Sequence, residues 1–293
     1  MSPTSPSAGH LTPAQLQSAA RALGAGGAGA TQLLALLYDP DVAVERVLDS
    51  LKAEPALAAR VLKVANSPFY RLSGSVGTLD RAVALLGLSA IRGIAAAGCL
   101  DRLTPAATGS AFNPDRFRQH SLAVACAAQG LSQAAGADID SEAFMAGLLH
   151  DIGILLLVKA VPARMGSFKP LQTDDANAAL ADEQQHLGAT HEDGATVLAQ
   201  AWQLPPWLQH AVALHHASAA PPGARLKGAD ALPALLALAN HAAHEAGYGL
   251  WPICGLTPPP EVLVSLGLGA DKLQAQIQAL PETLKALGTT AAA

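Results

Sequence analysis

The 293-residue chain is 51% hydrophobic but only 4% aromatic and 14% charged, with a net charge of −5. No basic cluster stands out, which argues against a surface that tracks nucleic-acid phosphates. Cys99, Cys126 and Cys254 are far apart and odd in number, so they offer neither a disulfide framework nor a paired zinc motif, as expected of a protein in a reducing cytosol. Alanine and leucine dominate and β-branched runs are scarce, so the expected fold class is all-α. The N-terminus lacks the basic start and apolar core of a secretory signal. No uninterrupted apolar stretch of about 18 residues is visible, so no transmembrane helix and no membrane partner are expected.

Residues 1 to about 28 read as a flexible tail. They open on Met1-Ser-Pro-Thr-Ser-Pro-Ser and close on a glycine-rich link, Gly24 to Gly29, with Thr12-Pro13 able to cap a short helix between. Helices then follow closely from about 31 to 103. One stops at Asp39-Pro40. Asp41 is expected to cap the next, where Val44, Val47, Leu48 and Leu51 form an apolar face. Pro55 suits the first position of another, which ends at Asn66-Ser67-Pro68, and Phe69 and Tyr70 follow on a Ser/Gly-rich connection. Thr78 caps a helix that Gly87 closes, and Ser89 starts its successor. Asn113-Pro114 opens a long helix carrying His120. Beyond the central stretch, helices are expected over 174–186, 190–203, 205–215 and 232–247. The last 40 residues read as short helices separated by Pro258-Pro259-Pro260, Gly269 and Pro281.

The central stretch, 142–158, reads as one buried helix, apolar almost all round, into which His150 and Asp151 are set side by side. An unpaired carboxylate in such a place is very costly. A divalent cation would satisfy both side chains; so would a hydrogen-bonded His–Asp pair without metal. Gly147 and Gly153 clear space for a second helix to approach. Around this pair lies an ordered series: His120, His150-Asp151, His191 and His215-His216, each on or at the end of a different expected helix. Helical bundles build metal sites in this way, from single side chains projecting inward. Imidazole and carboxylate ligands suit Fe, Mn, Zn or Ni, and a shared Asp151 would be able to bridge two ions. His186, His210, His241 and His244 read as surface or ordinary packed residues.

His120, His150-Asp151 and a later polar residue resemble the HD superfamily of metal-dependent phosphohydrolases, and His191 with His215-His216 resemble the wider ligand set of the HD-GYP cyclic-dinucleotide phosphodiesterases. The first half of the chain narrows this. Glu54-Pro55, the run Ala56 to Tyr70 containing Asn66-Ser67, and Leu79-Asp80-Arg81-Ala82-Val83-Ala84-Leu85-Leu86-Gly87 are similar to the HDOD family, the HD-related output domain of bacterial signalling proteins. The resemblance spans about 31 to 216.

It implies a two-lobed helical domain over 29–247, with an N-terminal lobe at about 31–103, an HD-like lobe at about 113–247 and a helical extension at 248–293. It implies a bacterial, cytoplasmic regulator whose partners are other signalling proteins, met through Asn66, Ser67, Phe69 and Tyr70. It also implies a metal set of His120, His150, Asp151, His191, His215, His216 and Asn240. Asn240 stands where catalytic relatives close the series with aspartate, and no Gly-Tyr-Pro motif is present. The alternative reading is a metal-dependent phosphohydrolase acting on a nucleotide or cyclic dinucleotide.

Overall fold

The computed structural model describes residues 9–39, 41–67, 74–106, 112–173, 175–216, 225–251, 258 and 260–287. The protein is all-α: 75% is helical and the described residues contain no strand. The order is α1 (Pro13–Gly26), α2 (Ala28–Tyr38), α3 (Val44–Lys52), α4 (Pro55–Ala65), α5 (Leu79–Leu103), α6 (Pro114–Ala135), α7 (Asp140–Leu149) and α8 (Ile152–Ala160). It continues with α9 (Pro162–Ser167), α10 (Ala176–Leu187), α11 (His191–Ala201), α12 (Pro206–Ala213), a short 3₁₀ turn (Gly228–Ala231), α13 (Leu232–Glu245), α14 (Pro260–Leu266) and α15 (Ala270–Ala286).

Helices α2 to α5 pack on one another, with Glu54–Arg102 and Arg60–Asp101 ion pairs joining the start and middle of α4 to the end of α5. α6 runs beside α7 and α13, and α8 beside α11. α5 touches α6 and α7 and so joins the two groups, with the Ser89 and Ser141 hydroxyls 2.6 Å apart across the junction.

Several expectations give way. The first is the flexibility of the tail: the short helix expected after Thr12-Pro13 forms, but it is docked on the fold. From Thr12 a capping box starts α1, with Thr12 accepting from the Gln15 N–H and the Gln15 side chain accepting from the Thr12 N–H. Leu16, Ala19, Ala20 and Leu23 are buried against α8 and α11, and the Leu11 N–H donates to the Gly188 carbonyl. The glycine run is not a link either. Only Gly27 separates α1 from α2, and a Cβ there would come 2.5 Å from Leu103 Cδ2, so close packing rather than freedom explains it. α3 starts after Ala43 without a side-chain cap instead of at Asp41. α15 runs through Pro281; Leu280 and Leu284, both buried, hold it across the lost hydrogen bond. The break expected at Gly87 is present: its φ of 81° and ψ of 157° are non-helical and open to glycine, so α5 is two helical stretches meeting at a kink.

The extension packs back on the second lobe, α15 against α6 and α13. Two stretches, Leu79–Leu103 and Asp140–Ala160, are long and apolar enough to cross a membrane by length and composition alone, the first interrupted by the Gly87 kink and the second by His150-Asp151. Of the most apolar 18-residue window in each, 50% of the first and 89% of the second is buried inside the fold.

Candidate metal centre

The expected single helix over 142–158 is two. α7 ends at Leu149, α8 begins at Ile152, and His150 and Asp151 form the turn between them. Breaking the helix here turns both side chains to the same place. Glycine makes room for what meets them. A Cβ on Gly153 would fall 1.8 Å from the His191 carbonyl oxygen, and one on Gly194 would fall 2.8 Å from the Gly153 carbonyl oxygen. α8 and α11 therefore touch backbone to backbone at the residue that opens α11. That residue is His191, held by the Thr190–Asp193 capping box. On the other side, a Cβ on Gly147 would reach the backbone of Ala125 in α6 at 2.7 Å, so α7 lies equally close to the helix that carries His120.

The six expected histidine and aspartate residues converge. His120, His150 and Asp151 form one group that could hold a metal ion, and His191, His215 and His216 form a second. Asp151 faces both. Its Oδ2 lies 3.4 Å from His120 Nε2 and 3.3 Å from His150 Nε2; its Oδ1 lies 3.7 Å from His191 Nε2 and 3.5 Å from His215 Nε2. The His150 and His215 rings meet edge to face. His120, His150, Asp151, His191 and His215 are buried, and His216 is partly so.

The outer nitrogens explain why the inner ones point inward. His120 Nδ1 donates to the Tyr248 carbonyl at 2.9 Å, His150 Nδ1 to the Gly147 carbonyl at 2.8 Å, and His215 Nδ1 to the Val212 carbonyl at 2.9 Å. A carbonyl oxygen only accepts, so each of these Nδ1 atoms carries its proton. In the neutral ring Nε2 is then a bare lone pair. His120 Nε2 and His150 Nε2 stand 3.3 Å apart, and His191 Nε2 stands 3.2 Å from His215 and 3.0 Å from His216. Lone pairs that close repel unless a proton or a cation lies among them. The donor set, imidazole nitrogen plus one shared carboxylate, fits a divalent transition metal.

Electrostatics follow the same lines. Burial pushes the His150 pKa down to about 4 and His216 well below its ordinary value. Burial works against the Asp151 carboxylate, but His150, His120 and His215 outweigh it and hold its pKa well below the usual range. Burial also works against protonated His191, yet the Glu183 carboxylate beside it wins and lifts its pKa to about 9.

Other residues fall differently. Asn240 lies on α13, one turn before His244, and its Oδ1 is buried with no hydrogen-bond partner. Asn66 is spent within the chain: its amide donates to the Leu62 and Val76 carbonyls and accepts from the Val76 N–H, pinning the connection after α4. Its side chain nonetheless stays exposed at the surface. Ser67 Oγ is buried without a partner at the edge of a cavity. Phe69 and Tyr70 lie outside the described residues.

Two participants escaped sequence reasoning. Glu183, on α10, is buried against His191. His244, taken for an ordinary packed residue, sets its ring edge-on to His120 at 5.4 Å, and burial pushes its pKa down to about 3. The signal for His244 is its spacing of four from Asn240, which puts both on one helix face. For Glu183 the signal is weaker: a carboxylate on the helix that precedes His191.

The HDOD domain family model matches residues 28–218. The chain belongs to the HDOD family. Solved structures agree with this assignment. A Shewanella amazonensis SB2B protein named "Putative phosphohydrolase" is 26% identical, with a TM-score of 0.66 over 94% of this chain and 96% of its own. A Geobacter sulfurreducens "HDOD domain protein with unknown function" is 23% identical, with a TM-score of 0.67 over 93% and 96%. A Marinobacter aquaeolei VT8 protein named "Putative signal transduction protein" is 24% identical, with a TM-score of 0.69; this chain, covered over 94%, spans 64% of that one. No curated protein matches. HDOD membership accounts for the two-lobed helical fold, and the family match begins where α2 begins, leaving α1 outside it.

Proposed function

We propose that this HDOD protein is a cytoplasmic regulatory module that relays a bacterial signal by contact with other signalling proteins, and that its histidine centre holds a divalent metal for structure rather than turnover. The observation that carries this reading is the burial of the centre, whose residues are buried except for the partly exposed His216. None of its residues lines either of the two described cavities, of about 430 and 830 Å³, which lie elsewhere, between α4–α5 and α6–α7. The smaller is edged by Arg60 and Lys63 from α4, by Ser67 just beyond it and by Arg118 from α6. A partner would meet both lobes there.

His120, His150 and Asp151 would hold one ion, and His191, His215 and His216, with the other oxygen of Asp151, a second. A metal bound there supplies Lewis acidity and a bound water of lowered pKa. The chain's own part is to fix the imidazoles through their Nδ1 bonds and to exclude water by burial. Asn240 brings no charge to the helix face shared with His244, which fits binding without turnover. A second reading, a phosphohydrolase acting on a nucleotide or cyclic dinucleotide, draws on the two-sided Asp151 and on the name of the 26%-identical Shewanella protein.

Incubation with a panel of nucleotides and cyclic dinucleotides, with Mn or Fe added and both free phosphate and linear dinucleotide products measured, separates the two. No hydrolysis above a His150→Ala control is expected, together with metal retained in protein purified without chelator. Turnover that His150→Ala abolishes would establish the enzyme instead.

A further inference from the structure

Three of the histidines that converge on Asp151 lean on neutral backbone carbonyls. His191 does not. Its Nδ1 lies 2.9 Å and 2.8 Å from the two oxygens of Glu183, and its backbone N–H donates to Glu183 Oε2 at 2.8 Å. Glu183 is only 4% exposed, and on α10 it and Leu187 are the buried residues. Burying a carboxylate costs several kcal/mol unless it is well paired, so this helix spends its inward position on a charge that serves one imidazole. The two ends of the centre are therefore unequal. A cation among His120, His150 and Asp151 has one carboxylate at hand. A cation among His191, His215 and His216 has Asp151 on one side and, through the His191 ring, Glu183 on the other. A carboxylate behind a ligating histidine fixes its tautomer and raises its basicity.

We propose that Glu183 is a positioning residue that makes the His191–His215–His216 end the tighter of two cation sites, so that the centre fills in two steps. This rests on the metal reading above.

The test is a titration of the metal-stripped full-length protein with Co²⁺, followed by its visible absorption. Wild type is expected to take up two ions in separable steps, each with its own spectrum. Glu183→Gln should weaken the tighter step by about 10–100-fold, the size of such outer-partner effects, and leave the weaker step in place. Glu183→Asp, which keeps the charge, should restore part of the loss. His150→Ala should remove the weaker step and keep the tighter one. If Glu183→Gln fails to fold, the Asp variant and His150→Ala still assign the steps. Two indistinguishable steps, a Glu183→Gln titration equal to wild type, or equal weakening of both steps would overturn the role of Glu183. No uptake by wild type would remove the metal reading itself.

Discussion

An imidazole offers a lone pair at one nitrogen only while the other keeps its proton, and here the protein decides which. The carbonyls of Gly147, Val212 and Tyr248 each accept a hydrogen bond from an Nδ1–H, so the Nε2 atoms of His150, His215 and His120 are left facing inward. The same contacts set the pH behaviour of the metal-free protein. His191 stands at about 9 in the fold against an ordinary 6.5, so its contribution is full below pH 6.5 and is lost as the pH climbs toward 9. His150 and His244 stand at about 4 and about 3 against 6.5, so theirs is full above pH 6.5 and is lost as the pH falls toward those values. Chelator-treated protein should therefore melt highest near pH 6.5 and lower at both pH 5 and pH 8.5 (chosen as about 1.5–2 units either side). Metal, which needs His191 unprotonated at Nε2, should flatten the alkaline side. A melting temperature that rises steadily from pH 5 to pH 8.5 in chelator would contradict this assignment.

Helices meet at the centre because three of them, α7, α8 and α11, carry glycine where they cross a neighbour. Gly153 and Gly194 bring α8 and α11 into backbone contact, which sets His191 beside the His150-Asp151 turn. Gly153→Ala is expected to destabilise the protein by about 1–3 kcal/mol, as overpacking does. It should also cost metal content, because the new methyl would push α11 outward. Urea denaturation with metal analysis of the same samples checks both, and an unchanged midpoint would show that the helices can part without loss. α1 makes a second claim at this scale. Its Leu16 and Leu23 are buried in the common core, although the helix lies before the family match. Leu16→Ala and Leu23→Ala should each cost about 2–5 kcal/mol, the range for buried leucines. A chain starting near residue 28 should unfold at lower urea with a broader transition. Unfolding identical to the full chain would mean that α1 is merely laid on the surface.

At the scale of the molecule, the centre and the cavities are separated. The histidine centre closes the second lobe from within, while the cleft between the lobes carries both described cavities, with α15 contributing Gln276 and Thr283 to the larger. Such a division suits a protein whose metal steadies one lobe and whose partner bears on the junction. Charge points away from nucleic acid. With a net charge of −5 and the Arg60 and Arg118 guanidiniums beside Asp101, the chain presents little for a phosphate backbone to neutralise. Fluorescence anisotropy with a labelled DNA duplex at low salt should show no binding; salt-dependent, saturable binding would reverse that view.

The chain alone determined what local chemistry can determine. The abundance of alanine and leucine, with few β-branched runs, pointed to the all-α class, and caps and prolines such as Thr78, Pro55 and Asn113-Pro114 placed helix starts. The ordered histidines announced a convergent centre because imidazoles and a carboxylate are expensive in an apolar helix without a common partner. What lay beyond the sequence was every decision that needs a neighbour from elsewhere in the chain. Glycines between α1 and α2 read as a link, since nothing local records that Leu103 presses on Gly27. Asn66 showed nothing of its second role, since its hydrogen bonds to Val76 close over a ten-residue separation. Glu183 was one carboxylate among many until α10 folded it against His191, and His244 was a spare histidine until α13 met α6. Burial and partnership belong to pairs of residues, and only the packed helices decide which pairs exist.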